Sequence, residues 1–184
     1  MQKQLAALVD SLESAQQNLR SFSDNVSDAA WSRRPAPDAW SAADCVEHLN
    51  LTSRAYVPLL REAIDRARLM RAPHRGAYRM ELTARLLAFM MRPVRRIGRF
   101  KVGKVKTPGR FTPRGGQTRE ALLSDFVRLQ SDLISLTRSS DGLPIDRVKI
   151  QSPFGKMRYN AYSALQIVAQ HEHRHLQQAQ EAAG

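Results

Sequence analysis

The chain has 184 residues, 42% of them apolar, which allows one domain with a real core and excludes general disorder. Its only cysteine, Cys45, rules out an intrachain disulfide framework and points to a reducing compartment, the cytoplasm. The net charge of +12 is concentrated: from Arg66 to Arg119 sixteen Lys and Arg stand against Glu81 alone, a net of +15, which leaves −3 for the remainder.

The opening stretch, MQKQLAALVDSLESAQQ, has apolar positions three or four apart and no continuous apolar run after the lysine. It therefore reads as a helix and not as a secretory signal. Leu5, Leu8, Val9, Leu12, Ala15, Leu19 and Phe22 give that helix, over 2–22, one apolar stripe. The connection WSRRPAPDAW excludes regular helix. Ser41 to Asp44 resembles a capping box and starts a second helix over about 41–70. Cys45, Leu49, Thr52, Tyr56, Leu59 and Ala63 form its stripe, and Pro58 is expected to bend it. No apolar run approaches the roughly 20 residues that a membrane span needs.

Residues 72–116 read as an insertion, with a short helix near 81–91 and a basic Gly- and Pro-rich loop over 93–116. Thr118 caps a third long helix with Leu122, Leu123, Phe126, Leu129, Leu133 and Leu136 on its buried side. Asp141-Gly142-Leu143-Pro144 ends it. An extended linker containing Ser152-Pro153-Phe154-Gly155 leads to a fourth helix from about Asn160. Its inward stripe is Ala161, Leu165, Val168, His171 or Glu172, His175 and Ala179. Four long amphipathic helices without convincing strands predict an all-α bundle, one domain over 1–184.

The segment HEHRH places His171 and His175 four residues apart, on one helical face. Two imidazoles so spaced can reach one ion at about 2.0–2.1 Å. The string also matches the H-E-x-x-H protease pattern, but only nine residues follow His175. Gln178 and Glu181 stand where the longer pattern needs glycine and histidine. A third ligand must come from upstream, and His48, beside Cys45, Leu49 and Thr52, is the best placed. His74, in the basic insertion, reads as solvated, as do Glu47 and Glu172. His173 points away from the pair. Cys45 reads as a buried thiol, and Trp31, Trp40, Tyr159 and Tyr162 as packing residues.

The segment Trp40-Ser41-Ala42-Ala43-Asp44-Cys45-Val46-Glu47-His48-Leu49 resembles the first histidine motif of the DinB/YfiT-like superfamily. His171-Glu172-His173-Arg174-His175-Leu176-Gln177-Gln178 resembles its terminal H-x-x-x-H-x-x-Q motif. The two lie at opposite ends of the chain and in the family's order. The resemblance implies an up-down four-helix bundle of DinB/YfiT type, here with a basic insertion between the second and third long helices. It further implies a site of His48, His171 and His175 for a divalent ion such as zinc or nickel, with iron and manganese as further candidates, and a tendency to dimerise.

Three neutral ligands leave an ion its +2 charge and an open position. Such an ion can activate water for hydrolysis of a small molecule. It can also hold a low-molecular-weight thiol as thiolate for transfer to an electrophile, an activity the resemblance favours slightly. Gln178, three residues past His175, can orient water or a ligand and is the one candidate catalytic side chain. The rival expectation is a non-catalytic metal-binding or stress-response protein. The loop cations Arg92, Arg95, Arg96, Arg99, Lys101, Lys104, Lys106, Arg110 and Arg114, with Phe100 and Phe111 interleaved, suit nucleic acid. LTARLLAFMM followed by arginines suits a membrane surface. A third reading is capture of an anionic substrate, and the plainest is a solvated loop with its short helix packed on the bundle or on a dimer partner.

Overall fold

Leu5, Leu8, Val9, Leu12, Ala15 and Leu19 recur at helical spacing, and Lys3–Asn25 winds as a single helix, α1, with all six buried. The computed structural model describes residues 1–74, 76–90 and 107–184. The expectations placed on Arg92, Arg95, Arg96, Arg99, Phe100, Lys101, Lys104 and Lys106 lie outside the described residues. After α1 comes a five-residue helix, α2 (Asp28–Ser32), whose Ser27 side chain accepts from Ala30 N. This helix takes in the first two residues of a connection expected to hold none. Trp31 anchors it at 3% exposure, and the Arg119 guanidinium lies 5.0 Å over the Trp31 ring.

Ser41 and Asp44 cap helix α3 (Ala42–Leu69) reciprocally, the capping box the sequence predicts. Arg34 adds two bonds to the same Asp44 carboxylate, at 3.0 and 3.1 Å, which holds the preceding loop against the helix start. Pro58 lies inside α3 on an exposed position, where water can meet the carbonyl that its missing N–H leaves unpaired. Helix α4 (Leu82–Met90) buries Ala84 and Ala88 and leaves Leu82, Leu86 and Phe89 exposed. A 3₁₀ turn over Gly109–Phe111 precedes α5 (Arg119–Ser139), capped by Thr118.

The linker expected to be merely extended forms a small antiparallel hairpin. Strand β1 (Lys149–Gln151) pairs with β2 (Arg158–Asn160) in the register Lys149↔Asn160, Ile150↔Tyr159, Gln151↔Arg158. Ile150 and Tyr159 point inward together, as period-two alternation requires. Asn160 ends β2 and caps helix α6 (Ala161–Ala183), accepting from Ser163 N at 2.8 Å.

The four long helices pack in a ring. α1 and α3 each lie against both α5 and α6, and α4 lies against α6. Their stripes make two apolar clusters. Tyr56, Leu60, Leu129, Leu133 and Leu165 belong to the one with the Leu5 end of α1, and Cys45, Leu49, Phe126, Leu176 and Ala179 to the one with Leu19. The side chains of Gln130, Glu172, Asn50 and Ser53 are buried too. Gln130 joins three helices by donating to Leu12 O at 3.0 Å and to Glu172 Oε2 at 2.8 Å. No described helix is long and apolar enough to cross a membrane.

Candidate metal centre

His171 and His175 stand one turn apart on α6, and His48 faces them from the second turn of α3. The three rings are mutually 4.5 to 5.0 Å apart between centroids. One ligand atom from each lies within 4.8 Å of the others, so the three can hold a metal ion. His48 and His171 are 2% and 5% exposed, and the imidazole of His175 is buried with them. Trp40 packs against His48 and His175 at 4.8 and 5.8 Å, and Phe154 approaches His171 at 5.9 Å.

The orientation of the His48 ring is set from outside the cluster. Its Nδ1 lies 2.8 Å from the Phe111 carbonyl oxygen. A carbonyl only accepts, so the hydrogen bond assigns the proton to Nδ1 and leaves the Nε2 lone pair facing inward. That Nε2 is 3.1 Å from His171 Nε2. Two nitrogens each about 2.0–2.1 Å from one tetrahedral ion would be about 3.4 Å apart. At 3.1 Å the pair is within hydrogen-bond reach, His171 Nε2–H donating to His48 Nε2, and a shift of a few tenths of an ångström would give the spacing of a shared ion. Nδ1 of His171 and of His175 are buried without a hydrogen-bond partner, on the ring edge opposite Nε2.

Burial is the main cause that pushes all three imidazoles below their ordinary pKa. At His171 the neighbouring His175 and His48 add to it. At His175, His48 and Arg174 add, while a hydrogen bond to Gln178 works the other way. At His48 the Phe111 carbonyl works against burial. Neutral rings are the form a metal needs, so no proton has to be displaced near neutral pH. The donor set fits a divalent ion of imidazole preference.

Among the described residues no fourth His, Cys, Asp or Glu joins this cluster. Cys45 is fully buried in the apolar cluster one turn before His48. Burial, with the Asp44 charge, raises its thiol far above the usual range. Gln178, the one candidate catalytic side chain, lies partly exposed and hydrogen-bonded to His175. His173 turns away and contacts Ser11 Oγ at 3.0 Å.

Four sequence expectations fail here for the same reason, that tertiary neighbours cover the residue. Glu47 is 5% exposed because the chain before α5 folds over it, and its carboxylate accepts from Arg114 N at 3.1 Å and Gly115 N at 2.9 Å. Glu172 is 1% exposed against Gln130, and burial raises its carboxyl to about 8. The His74 side chain is 5% exposed, stacked on Tyr78 at 4.0 Å, with Nδ1 3.3 Å from Asp146 Oδ1. Phe111, read as a ring that could stack on bases, is 3% exposed and packs on Phe154 at 4.5 Å. Sequence reasoning also missed the Phe111 carbonyl as the partner of His48. The adjacent pair Gly115-Gly116, at φ +73 and +85, was the available signal of a tight turn there. Two large surface clefts, of about 790 and 650 Å³, lie away from the histidines, one along α1 and α5 and the other beside α4.

The family model of the DinB superfamily matches residues 11–179. No curated protein and no solved structure matches the chain. The matched span runs from the middle of α1 to near the end of α6 and encloses all three histidines, and the chain belongs to the DinB superfamily.

Proposed function

We propose that this protein is a metal-dependent enzyme acting on a small molecule, in which His48, His171 and His175 hold one divalent ion, zinc or nickel by ligand type. The observation that carries this reading is the convergence of three imidazoles held neutral by burial, with no fourth His, Cys, Asp or Glu beside them among the described residues. Structural zinc sites are closed by four protein ligands, whereas catalytic sites keep a position open. A bound ion would supply Lewis acidity, lowering the pKa of a water or a thiol that reaches it. The chain's own part is to keep the rings neutral and oriented. The three imidazoles lie buried together, and the partly exposed Gln178 marks the side from which a small molecule can approach. Gln178, bonded to His175, is positioned to orient what enters.

Of the two reactions open to such a site, transfer of a low-molecular-weight thiol to an electrophile is preferred to hydrolysis. A neutral three-imidazole set leaves the ion its full charge, which favours an incoming anionic sulfur. The test is a screen of cellular thiols against several electrophiles, with and without added divalent ions. Metal-dependent thiol consumption that His171→Ala abolishes is the expected result. Ester or amide cleavage with no thiol transfer would move the assignment to hydrolysis. A stoichiometrically loaded protein inert in both assays would leave a metal-binding protein without catalysis.

A further inference from the structure

Glu47 follows Val46 into the interior yet points about 100° away from His48 around α3, so it is not a ligand. It is nevertheless buried, and it is matched in an unusual way. Both carboxylate oxygens accept backbone N–H groups from successive residues, Arg114 at 3.1 Å and Gly115 at 2.9 Å. Gly115 and Gly116 both adopt left-handed backbone, which turns the chain immediately after these two N–H groups. Three residues before Arg114, the same short segment turns through Gly109–Phe111. It buries the Phe111 ring against Phe154 and presents the Phe111 carbonyl to His48 Nδ1 at 2.8 Å.

We infer that Glu47 is a positioning residue of the metal centre, acting on His48 through the backbone of residues 111–115. The carboxylate fixes the segment, the segment fixes the Phe111 carbonyl, and the carbonyl fixes both the tautomer and the tilt of His48. The end of the basic insertion is thereby a strap on the metal site, and not a free arm. This rests on the reading of His48, His171 and His175 as ligands. Outer partners that orient a ligating histidine are worth about 10–100-fold in metal affinity, and binding linkage is reciprocal. Ion binding must therefore tighten the strap by the factor by which the strap tightens the ion.

The experiment uses Co²⁺ as probe on the full chain, reading affinity by competition titration, ligand-field absorption, and hydrogen exchange at the Arg114 and Gly115 amides. In the unaltered protein Co²⁺ should bind one per chain and slow exchange at both amides. Glu47→Ala should weaken Co²⁺ about 10–100-fold, alter the ligand-field bands and remove the protection. Glu47→Gln keeps one accepting oxygen and should fall between the two. A Glu47→Ala or Glu47→Gln protein that binds Co²⁺ within twofold of the original, with unchanged bands, would overturn the positioning role and leave the metal centre standing. Should Glu47→Ala fail to fold, the Glu47→Gln affinity and bands decide. Failure of the unaltered protein itself to bind Co²⁺ would instead overturn the ligand assignment.

Discussion

His48 shows how one side chain is governed by several weak decisions. Its place on α3 turns it inward, Trp40 covers one side of it, and the Phe111 carbonyl chooses its proton-bearing nitrogen. Removing a ligand should therefore empty the site without unfolding the bundle. His48→Ala and His171→Ala are expected to lose stoichiometric divalent metal while keeping their helical circular dichroism. Elemental analysis that finds full metal in either variant would refute its role as ligand. Cys45 makes the opposite case. Its thiol is fully buried and its ionisation is pushed far up, so the nucleophilic thiolate is scarce. Native protein at pH 8 should react with a thiol-specific reagent far more slowly than unfolded protein, which should release one equivalent. Cys45→Ala should retain its metal, and loss of the ion in that variant would make the sulfur a ligand after all.

Among the elements, the junction between β2 and α6 carries more than its length suggests. The Asn160 side chain caps α6 through Ser163 N, and its amide donates to the carbonyls of Arg79 at 2.9 Å and Asp146 at 3.0 Å. One residue thus ties the last helix to the segment before α4 and to the loop after α5. Asn160→Ala loses a cap worth about 1 kcal/mol and leaves two carbonyls short of a donor, at about 1 kcal/mol or more each. The expected cost is about 3 kcal/mol or more, read as a lower urea midpoint with unchanged slope. Ser27→Ala removes the cap of the five-residue α2 alone and should cost about 1 kcal/mol or less. Equal losses in the two variants would show that the bonds across the junction contribute nothing.

For the whole molecule, burying three neutral imidazoles makes stability depend on acid in a defined direction. Their folded pKa values are lowered, so above about pH 6.5 both folded and unfolded rings are neutral and contribute no slope. As pH falls through the unfolded value, the unfolded chain takes protons that the folded one refuses. Stability is then lost at about 1.4 kcal/mol per pH unit for each ring. Urea unfolding in chelator at pH 7.5 and 5.5 should show this loss, and His171→Leu should lose about 1 kcal/mol less over that interval. Identical acid sensitivity in the variant would mean that His171 is protonated freely in the fold. A saturating divalent ion should raise the melting temperature at pH 7.5 and do so less at pH 5.5, because protons compete for the same nitrogens.

The long helices, the caps at Ser41 and Thr118, the start of the last helix near Asn160, and the pairing of His171 with His175 were legible in the sequence. Each depends on neighbours within one or two helical turns, and helical periodicity reports such local relations directly. That His48 belongs with the other two came from its inward stripe and from family resemblance. Its 3.1 Å approach to His171 required the packing of α3 on α6. Glu47, Glu172, His74 and Phe111 were misread because their burial is imposed by segments far away in the chain, and composition describes a residue and not its cover. The sequence marked out the chemistry available at three imidazoles. Only the tertiary structure decided which nitrogen faces inward, since that choice is made by a carbonyl 63 positions away.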